Sequence, residues 1–374
     1  MAIIKKIGID ARMCGKEFTG IGRCVYEIIH RLPRLMPDCE FVFFLNSGSF
    51  KELEFQEKNV KKVEAKEPIY SYSEQVSFLR LVNKEKCDLM YFMHFNVPFF
   101  YRRDFVVLIH DLTLIRFPGK KMNKLVHRIG FYLVFVSACL RARKIVTVSD
   151  HTKKDLVSSF RISPDKVQTI YNGVDIEKFQ KKSQIDLGKL GISKPFFLYT
   201  GVWREHKNIK GLVRAFALCV KRGLDAELVL TGGKGVYRDE IVAKIRKYGV
   251  EDRVVLTGFV DDAELVGLFQ NARCFVFPSF SEGFGLPPLE AMAAGTPNVS
   301  SSSSCMGEIY GDNVLYFNPY DIEDMSMQMM KLFGSQNLRN DLIQRGLRHV
   351  QKFNWGKNAI ETRDFLGGIL LTKR

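Results

Sequence analysis

The sequence has no Cys-x-x-Cys pair and no histidine at metal-ligand spacing from any of its eight cysteines (Cys14, Cys24, Cys39, Cys87, Cys139, Cys219, Cys274, Cys305). No structural zinc site is expected from such scattered thiols, and they suit a reducing compartment. A signal-peptide hydrophobic region is lacking too: MAIIKKIGID reads as a first strand. The longest apolar stretch, residues 129–140, has twelve residues. That is short of the roughly twenty that a hydrocarbon core requires. There is no fixed-period repeat, and the one low-complexity stretch is the serine run 300–304, which follows a strand and reads as a surface or cleft loop. The expectation from these absences is a cytoplasmic protein, neither secreted nor membrane-spanning.

What is present is ordinary globular material: 374 residues, 46% hydrophobic and 26% charged. That is two to three domains' length, enough to bury a core without disulfides or metals. The net charge of +15 is uneven, with 29 basic and 19 acidic side chains in residues 1–175 against 27 and 22 in the remainder. Between Asp111 and Asp150 there is no acid at all, while Arg116, Lys120, Lys121, Lys124, Arg128, Arg141, Arg143 and Lys144 flank the apolar run. Such a segment, 116–144, either lies on anionic lipid at the inner face of the cell membrane or is a core-facing helix with solvated basic ends. No DNA- or RNA-binding module is recognisable, so nucleic acid ranks below both.

Short β-rich runs alternate with helical patterns throughout: IIKKIGI (3–9), FVFFL (41–45), LMYF (89–92), FVVLI (105–109), KIVTVS (144–149), FFLYTG (196–201), AELVLTG (226–232), VVLTGF (254–259) and CFVFPS (274–279). Alternation of this kind predicts parallel sheets with crossover helices, an α/β architecture. Between the two series a strand runs into the Asn172-Gly173 turn signal and a lysine-rich stretch. The predicted organisation is therefore two doubly wound domains, 1–175 and 176–355, with a ligand cleft between them and a last helix, 356–374, crossing back to the first.

The segment FPSFSEGFGLPPLEAMAAGTPNVSS (277–301) carries the strongest local signal. A strand ends at Pro278, a glycine turn follows, Pro288 takes an early helix position, and Gly295 and Pro297 close the helix. The backbone N–H groups of Phe284, Gly285 and Leu286 then point from a helix N-terminus, a phosphate site by dipole and unsatisfied donors. Glu282 and Glu290 bracket it. Beside a diphosphate each needs a hydroxyl-rich partner, so both read as gripping sugar hydroxyls; the plain alternatives are a loop cap and a helix-dipole acid.

The spacing EGFGLPPLE, with FPS before and AMAAGTP after, resembles the two-glutamate motif of family 4 glycosyltransferases, retaining enzymes of the GT-B fold. IGIDAR with TGIGR, LIHDL, TVSDHTKKDL, IYNGVD, YTGVWREHKNIKGLVRAF, LTGFVDDAEL, GEIYGDNVLYFNP and FNW extend the similarity in family order over essentially the whole chain. The resemblance implies two Rossmann-like domains facing each other across a cleft. The first would bind the acceptor and the second a sugar nucleotide. It implies that Glu290 binds the ribose hydroxyls, that Glu282 contacts the transferred sugar, and that Lys207 sits on the donor diphosphate. A fixed cation there stabilises charge growing on the leaving group, so neither metal nor cofactor is expected. Many relatives carry arginine at 202–206; VWREH offers Arg204 and His206 in its place. His110 ends the strand 105–109 at its carboxyl edge, and the family's matching histidine sits against donor sugar and acceptor. Gly20 and Gly22, read as a loop after the first strand, approach the diphosphate through their backbone, and Arg12 closes over the acceptor. Val260, within 259–262, lies beside the base.

A carboxylate from Asp261 or Asp262 that accepts the N1 and N2 hydrogens of guanine leans the donor toward GDP-mannose, with UDP sugars next. Same-face attack, the departing phosphate taking the acceptor proton, is the expected chemistry on a glycan or lipid-linked acceptor. LTGGKG (230–235) lacks Walker spacing and TGIGRC lacks the third glycine of a dinucleotide fingerprint, so nucleotide-triphosphate and NAD readings are set aside. No lysine is placed for pyridoxal phosphate. Two competitors remain: a sugar-nucleotide epimerase of the same fold, and a non-catalytic nucleotide-binding scaffold.

Overall fold

A strand such as FVVLI, apolar on both faces, is stable only where helices cover both sides of its sheet. The structure, a computed structural model describing residues 5–15, 18–117, 125–233 and 236–372, builds two sheets of this kind. The first contains β1 (Lys5–Asp10), β2 (Cys39–Leu45), β3 (Val60–Glu64), β4 (Leu89–Phe92), β5 (Phe105–Ile109), β6 (Lys144–Thr147) and β7 (Val167–Thr169) in the order 3-2-1-4-5-6-7. The second contains β8 (Phe196–Tyr199), β9 (Glu227–Thr231), β10 (Val254–Gly258), β11 (Cys274–Phe277), β12 (Asn298–Ser301) and β13 (Leu315–Phe317) in the order 10-9-8-11-12-13. Every strand pair is parallel.

The strands of β5 and β11 are buried at every position, and each large apolar side chain removed from water there contributes about 1.5–3 kcal/mol. Helix Leu125–Arg141 packs Phe135, Ala138 and Cys139 onto the first sheet, and helix Ile209–Lys221 packs Leu212, Val213 and Phe216 onto the second. Strand β3, VKKVE, is absent from the apolar runs of the sequence because it lies at a sheet edge, where Lys61 and Lys62 shield it from further pairing. At three residues, β13 is too short to show a period.

The chain divides into residues 1–173 with 353–374, and residues 174–352. Within the first unit the helix Trp355–Leu371 is capped by Asn354, whose side chain accepts from the Lys357 N–H at 2.7 Å. It packs on the helix Thr19–Ile29, and Asn358 donates to the Tyr171 carbonyl at 2.7 Å. Among the described residues no helix is long and apolar enough to cross a membrane.

Candidate active site

Each sheet has one place where winding reverses, β8/β11 in the second and β1/β4 in the first, and loops leaving the carboxyl ends of such strands diverge to expose the backbone. Lys207 follows β8 and Glu282 follows β11, and the pairing of Phe197 with Cys274 brings them together. Lys207 Nζ lies 2.6 Å from Glu282 Oε1, the two side chains being 15% and 11% exposed. Lys207 ends a tight turn, Glu205–Lys207, closed by Asn208 in the left-handed conformation (φ 52°). From beneath, buried Trp203 anchors this loop by donating its Nε1–H to the Thr231 carbonyl at 2.9 Å. Arg204 is exposed, and His206 gives its carbonyl to the Phe280 N–H at 2.8 Å.

Glu282 is also held by its backbone. Its N–H donates to Ser304 Oγ at 3.1 Å, and its carbonyl accepts from Cys305 Sγ at 3.3 Å. Burial first, then the charges of Glu282 and Glu308, push the Cys305 thiol up, so it stays protonated and able to donate. Neither residue was anticipated. The serine run, expected as a surface or cleft loop, begins inside the fold: Ser300 and Ser301 are fully buried in β12, and Ser304 buttresses the glutamate loop. A run of hydroxyls straight after a parallel strand is the signal that points to it.

The helix Leu286–Ala293 starts at Gly285, whose φ of 79° suits glycine and whose added Cβ would stand 2.1 Å from Tyr310 Oη. That hydroxyl donates to the Gly285 carbonyl at 2.8 Å. Pro287 and Pro288 have no N–H, so the donors left at this terminus are those of Gly285 and Leu286, which find no acceptor among the described residues. Phe284 is buried beside them and Glu290 is half-buried on the helix. Lys207 is neutralised by Glu282, so the open helix terminus stands as a positive element beside the pair, with Arg204 exposed on the Lys207 loop.

On the far side of this sheet Val260 is half-buried next to exposed Phe259. Asp261 and Asp262, expected to meet guanine, each have a partner within the fold. Asp261 caps the helix Asp262–Asn271 by accepting the Glu264 N–H at 2.8 Å in a reciprocal capping box, and Asp262 pairs with Lys178 at 3.0 Å. A helix cap engages Asp261 and an ion pair engages Asp262.

In the first unit His110 follows β5, and its Nε2 lies 3.0 Å from the Met93 carbonyl. A carbonyl only accepts, so Nε2 carries the proton and Nδ1 keeps its lone pair. Burial holds the ring's pKa below the ordinary histidine value against the opposing pull of the Met93 bond and Asp111. His94, its ring centroid 6.3 Å away, is pulled down further by burial and by His110 and Arg12.

Arg12, expected to close over the acceptor, is held inside the first unit. It is 2% exposed, with its guanidinium 2.8 Å from Asp10 Oδ2 and 2.7 Å from Glu74 Oε1, and it lies over the Phe78 ring. Glu74 and Phe78 bound a π-helical turn that brings the carboxylate beneath the arginine. Gly20 and Gly22 are likewise not in a loop but in the opening of the helix Thr19–Ile29. Gly22 is glycine for packing, since a Cβ there would stand 2.2 Å from the Gly15 carbonyl oxygen. That helix has no acidic residue in its first turn and no side-chain cap, so its terminus still suits an anion.

Four of the described basic residues of the segment 116–144 have partners within the fold. Lys120, Lys121 and Lys124 lie outside the described residues. Arg116 pairs with Asp155 at 2.8 Å and Arg143 with Asp104 at 3.2 Å, while Arg141 donates to the carbonyls of Pro98 and Tyr101 and Lys144 to that of Asp165. Arg128 is exposed. The outward face of helix Leu125–Arg141 is apolar, with Ile129, Tyr132, Leu133 and Leu140 all open to solvent.

Residues 18–178 match the family profile described as Glycosyltransferase Family 4, and residues 180–349 that described as Glycosyl transferases group 1. Over 227 residues the chain is 30% identical to the O-antigen chain mannosyltransferase B of Escherichia coli, a match spanning 59% of each protein. The chain therefore covers about three fifths of that relative's length. The sucrose-phosphate synthase of Thermosynechococcus elongatus superposes with a TM-score of 0.78 over 98% of this chain and 99% of its own, at 17% identity. Anabaena HepE in complex with UDP-glucose does so with a TM-score of 0.74 over 98% of this chain and 100% of its own, at 18% identity. Identity at that level speaks for the fold alone, two parallel-sheet Rossmann-like units of GT-B type. With a glycosyltransferase profile matching each half in turn, the chain belongs to the family 4 glycosyltransferases.

Proposed function

We propose that the chain is a retaining, metal-independent hexosyltransferase that moves a sugar from a nucleoside diphosphate sugar, GDP-mannose first and UDP sugars next, to a glycan or lipid-linked acceptor in surface-polysaccharide synthesis. The observation that carries the reading is the Lys207–Glu282 pair beside the open helix terminus of Leu286–Ala293. A diphosphate would accept from Gly285 and Leu286 and draw Lys207 off Glu282, which frees the carboxylate for a sugar hydroxyl. Glu290 grips the ribose. As the C1–O bond to phosphate breaks, negative charge on the leaving oxygen is stabilised by Lys207 and Arg204. The acceptor oxygen bonds to C1 on the same face and passes its proton to the departing phosphate. His110, neutral with a lone pair on Nδ1, accepts a hydroxyl hydrogen.

With Asp261 and Asp262 engaged elsewhere, mannose rests on the Escherichia coli relative, and HepE with UDP-glucose keeps uracil in view. Calorimetric titration of GDP and UDP into protein held in EDTA decides between them. GDP should bind at least about tenfold more tightly, a gap of about 1.4 kcal/mol. UDP preference would overturn the mannose assignment, loss of all nucleotide binding in EDTA the metal-free mechanism, and product of inverted configuration the retaining one. Isomerised donor formed without acceptor would support the epimerase.

The acceptor's lipid suggests the inner face of the cell membrane, where the apolar face of helix Leu125–Arg141 would seat with Arg128 at the headgroups. Vesicles containing anionic phosphatidylglycerol should then pellet the protein, and salt should weaken the binding. Replacing Ile129 and Leu133 together by serine should reduce it by about tenfold or more. Equal pelleting of that variant would remove this helix from the reading.

A further inference from the structure

We propose that the amino edge of the second sheet holds a binding site for the phosphate monoester of a small organic molecule, at the opposite end of the strands from Lys207 and Glu282. Lys207 and Glu282 follow the carboxyl ends of β8 and β11, whereas Phe196 opens β8 and Arg273 immediately precedes β11. At that amino edge lies a cavity of about 440 Å³, within the roughly 300–1,000 Å³ typical of small-molecule sites. Leu187, Ile192 and Phe196 supply an apolar wall, and Arg273 and Arg339 supply charge. Both arginines are fixed by the fold. Arg339, 5% exposed, stands in the first turn of the helix Gln336–His349. Its Nη1 donates to the carbonyls of Leu332, at 3.0 Å, and of Phe333, and its Nη2 donates to Gln336 Oε1. Half-buried Arg273 lies over the Phe333 ring, 4.8 Å from its centroid, and donates its Nε–H to the Phe333 carbonyl at 2.9 Å.

These bonds satisfy the end of the helix Ile322–Gly334 but do not use up the arginines. Both Nη groups of Arg273 and the Nε–H of Arg339 have no partner among the described residues, and no described carboxylate pairs with either guanidinium. The carboxylates nearby are engaged: Glu227 accepts from the backbone of Ser193 and Lys194 and from the Ser193 hydroxyl, and Asp225 pairs with Lys194 and Arg253. Two like charges therefore border one cavity. Burial, then the charge of Arg273, pull the Arg339 pKa below its ordinary value, against the opposite pull of Cys274. The carbonyl end of the helix offsets only about half a unit of charge, so a monoanion leaves the pair unbalanced. A phosphate monoester balances it, with about 1.5 to 2 negative charges at neutral pH and three oxygens for the guanidinium forks. The apolar wall favours an ester over inorganic phosphate, because it gives the organic body a surface to cover.

The test is calorimetric titration of phenyl phosphate, inorganic phosphate and dimethyl phosphate into the full chain and three variants. Phenyl phosphate should bind wild type about tenfold more tightly than either inorganic phosphate, which has no apolar body, or dimethyl phosphate, which has one charge. Arg273→Ala should weaken phenyl phosphate by about tenfold or more. Gln336→Glu should do the same without removing any helix cap, because it sets a carboxylate of the same shape against Arg339. Gln336→Ala, which adds no charge, should keep the wild-type affinity, and both Gln336 variants should melt within a few degrees of wild type. No binding of phenyl phosphate by wild type, or wild-type affinity in Arg273→Ala or Gln336→Glu, would overturn the site. Equal losses in Gln336→Ala and Gln336→Glu would overturn the charge argument. Inorganic or dimethyl phosphate binding as tightly as phenyl phosphate would overturn the monoester assignment.

Discussion

Glu282→Ala is expected to lower kcat by about 10²–10³-fold while leaving nucleoside diphosphate bound at least as tightly as before. The split follows from the ion pair. In the free protein Lys207 is neutralised at 2.6 Å by Glu282, in a setting where both are largely shielded from water. Removing the carboxylate leaves a bare ammonium beside the donors of Gly285 and Leu286, and a diphosphate no longer has to displace Glu282 to reach it. Binding therefore holds or improves, while the group that orients the transferred sugar is gone. Lys207→Ala should do the opposite, weakening nucleotide affinity as well as turnover, because it leaves an unpaired carboxylate facing the phosphates. Single-turnover rates and calorimetry on the two variants measure this directly. No turnover in wild type, with nucleotide binding indifferent to Glu282→Ala, would favour the scaffold reading; wild-type turnover in Glu282→Ala would remove Glu282 from the chemistry, and a parallel loss of nucleotide affinity in that variant would mean that Glu282 holds the loop and not the sugar.

Arg12→Ala is expected to destabilise the first unit by about 3–5 kcal/mol, the usual cost of leaving buried charge without its partner. Arg12 bridges Asp10 and Glu74, which both stand among the buried residues. Burial already pushes the Glu74 carboxyl up; Arg12 pulls it down and Asp10 pushes it up again. Without the arginine, two carboxylates face each other in a dry site, and the Glu74 value is pushed further above that of the unfolded chain. The deficit is then full above the raised folded-state value and shrinks as pH falls from it towards the ordinary carboxylate range, because the folded variant takes up the proton first. Urea midpoints of wild type and variant between neutral pH and about pH 4.5 read both the size and the slope. A variant as stable as wild type but with a raised acceptor KM would restore Arg12 to the acceptor.

Much of this protein was determined locally. The apolar runs of β1, β2, β4, β5, β6, β8, β9, β10 and β11 are visible because a doubly covered parallel strand needs no polar face, and the turn and helix of EGFGLPPLE follow from glycine at positive φ and proline in a first turn. Those effects act over a few residues, so they are written in a few residues. Strand β3 escaped the same reading because an edge carries lysines, and Gly20 and Gly22 were misplaced because glycines at a helix start look like a loop. What each charged side chain does was decided only in three dimensions. Lys207 and Glu282 are 75 positions apart and meet because β8 lies next to β11; Arg12 and Glu74 are 62 apart and meet through a π-helical turn. Ser304 and Cys305 reach the Glu282 backbone from beyond the neighbouring β12, and Asp261 and Asp262 are taken up by a helix start and by Lys178. A charge has no periodicity to betray its partner. Strand order chooses that partner, and strand order is a property of the packed sheet.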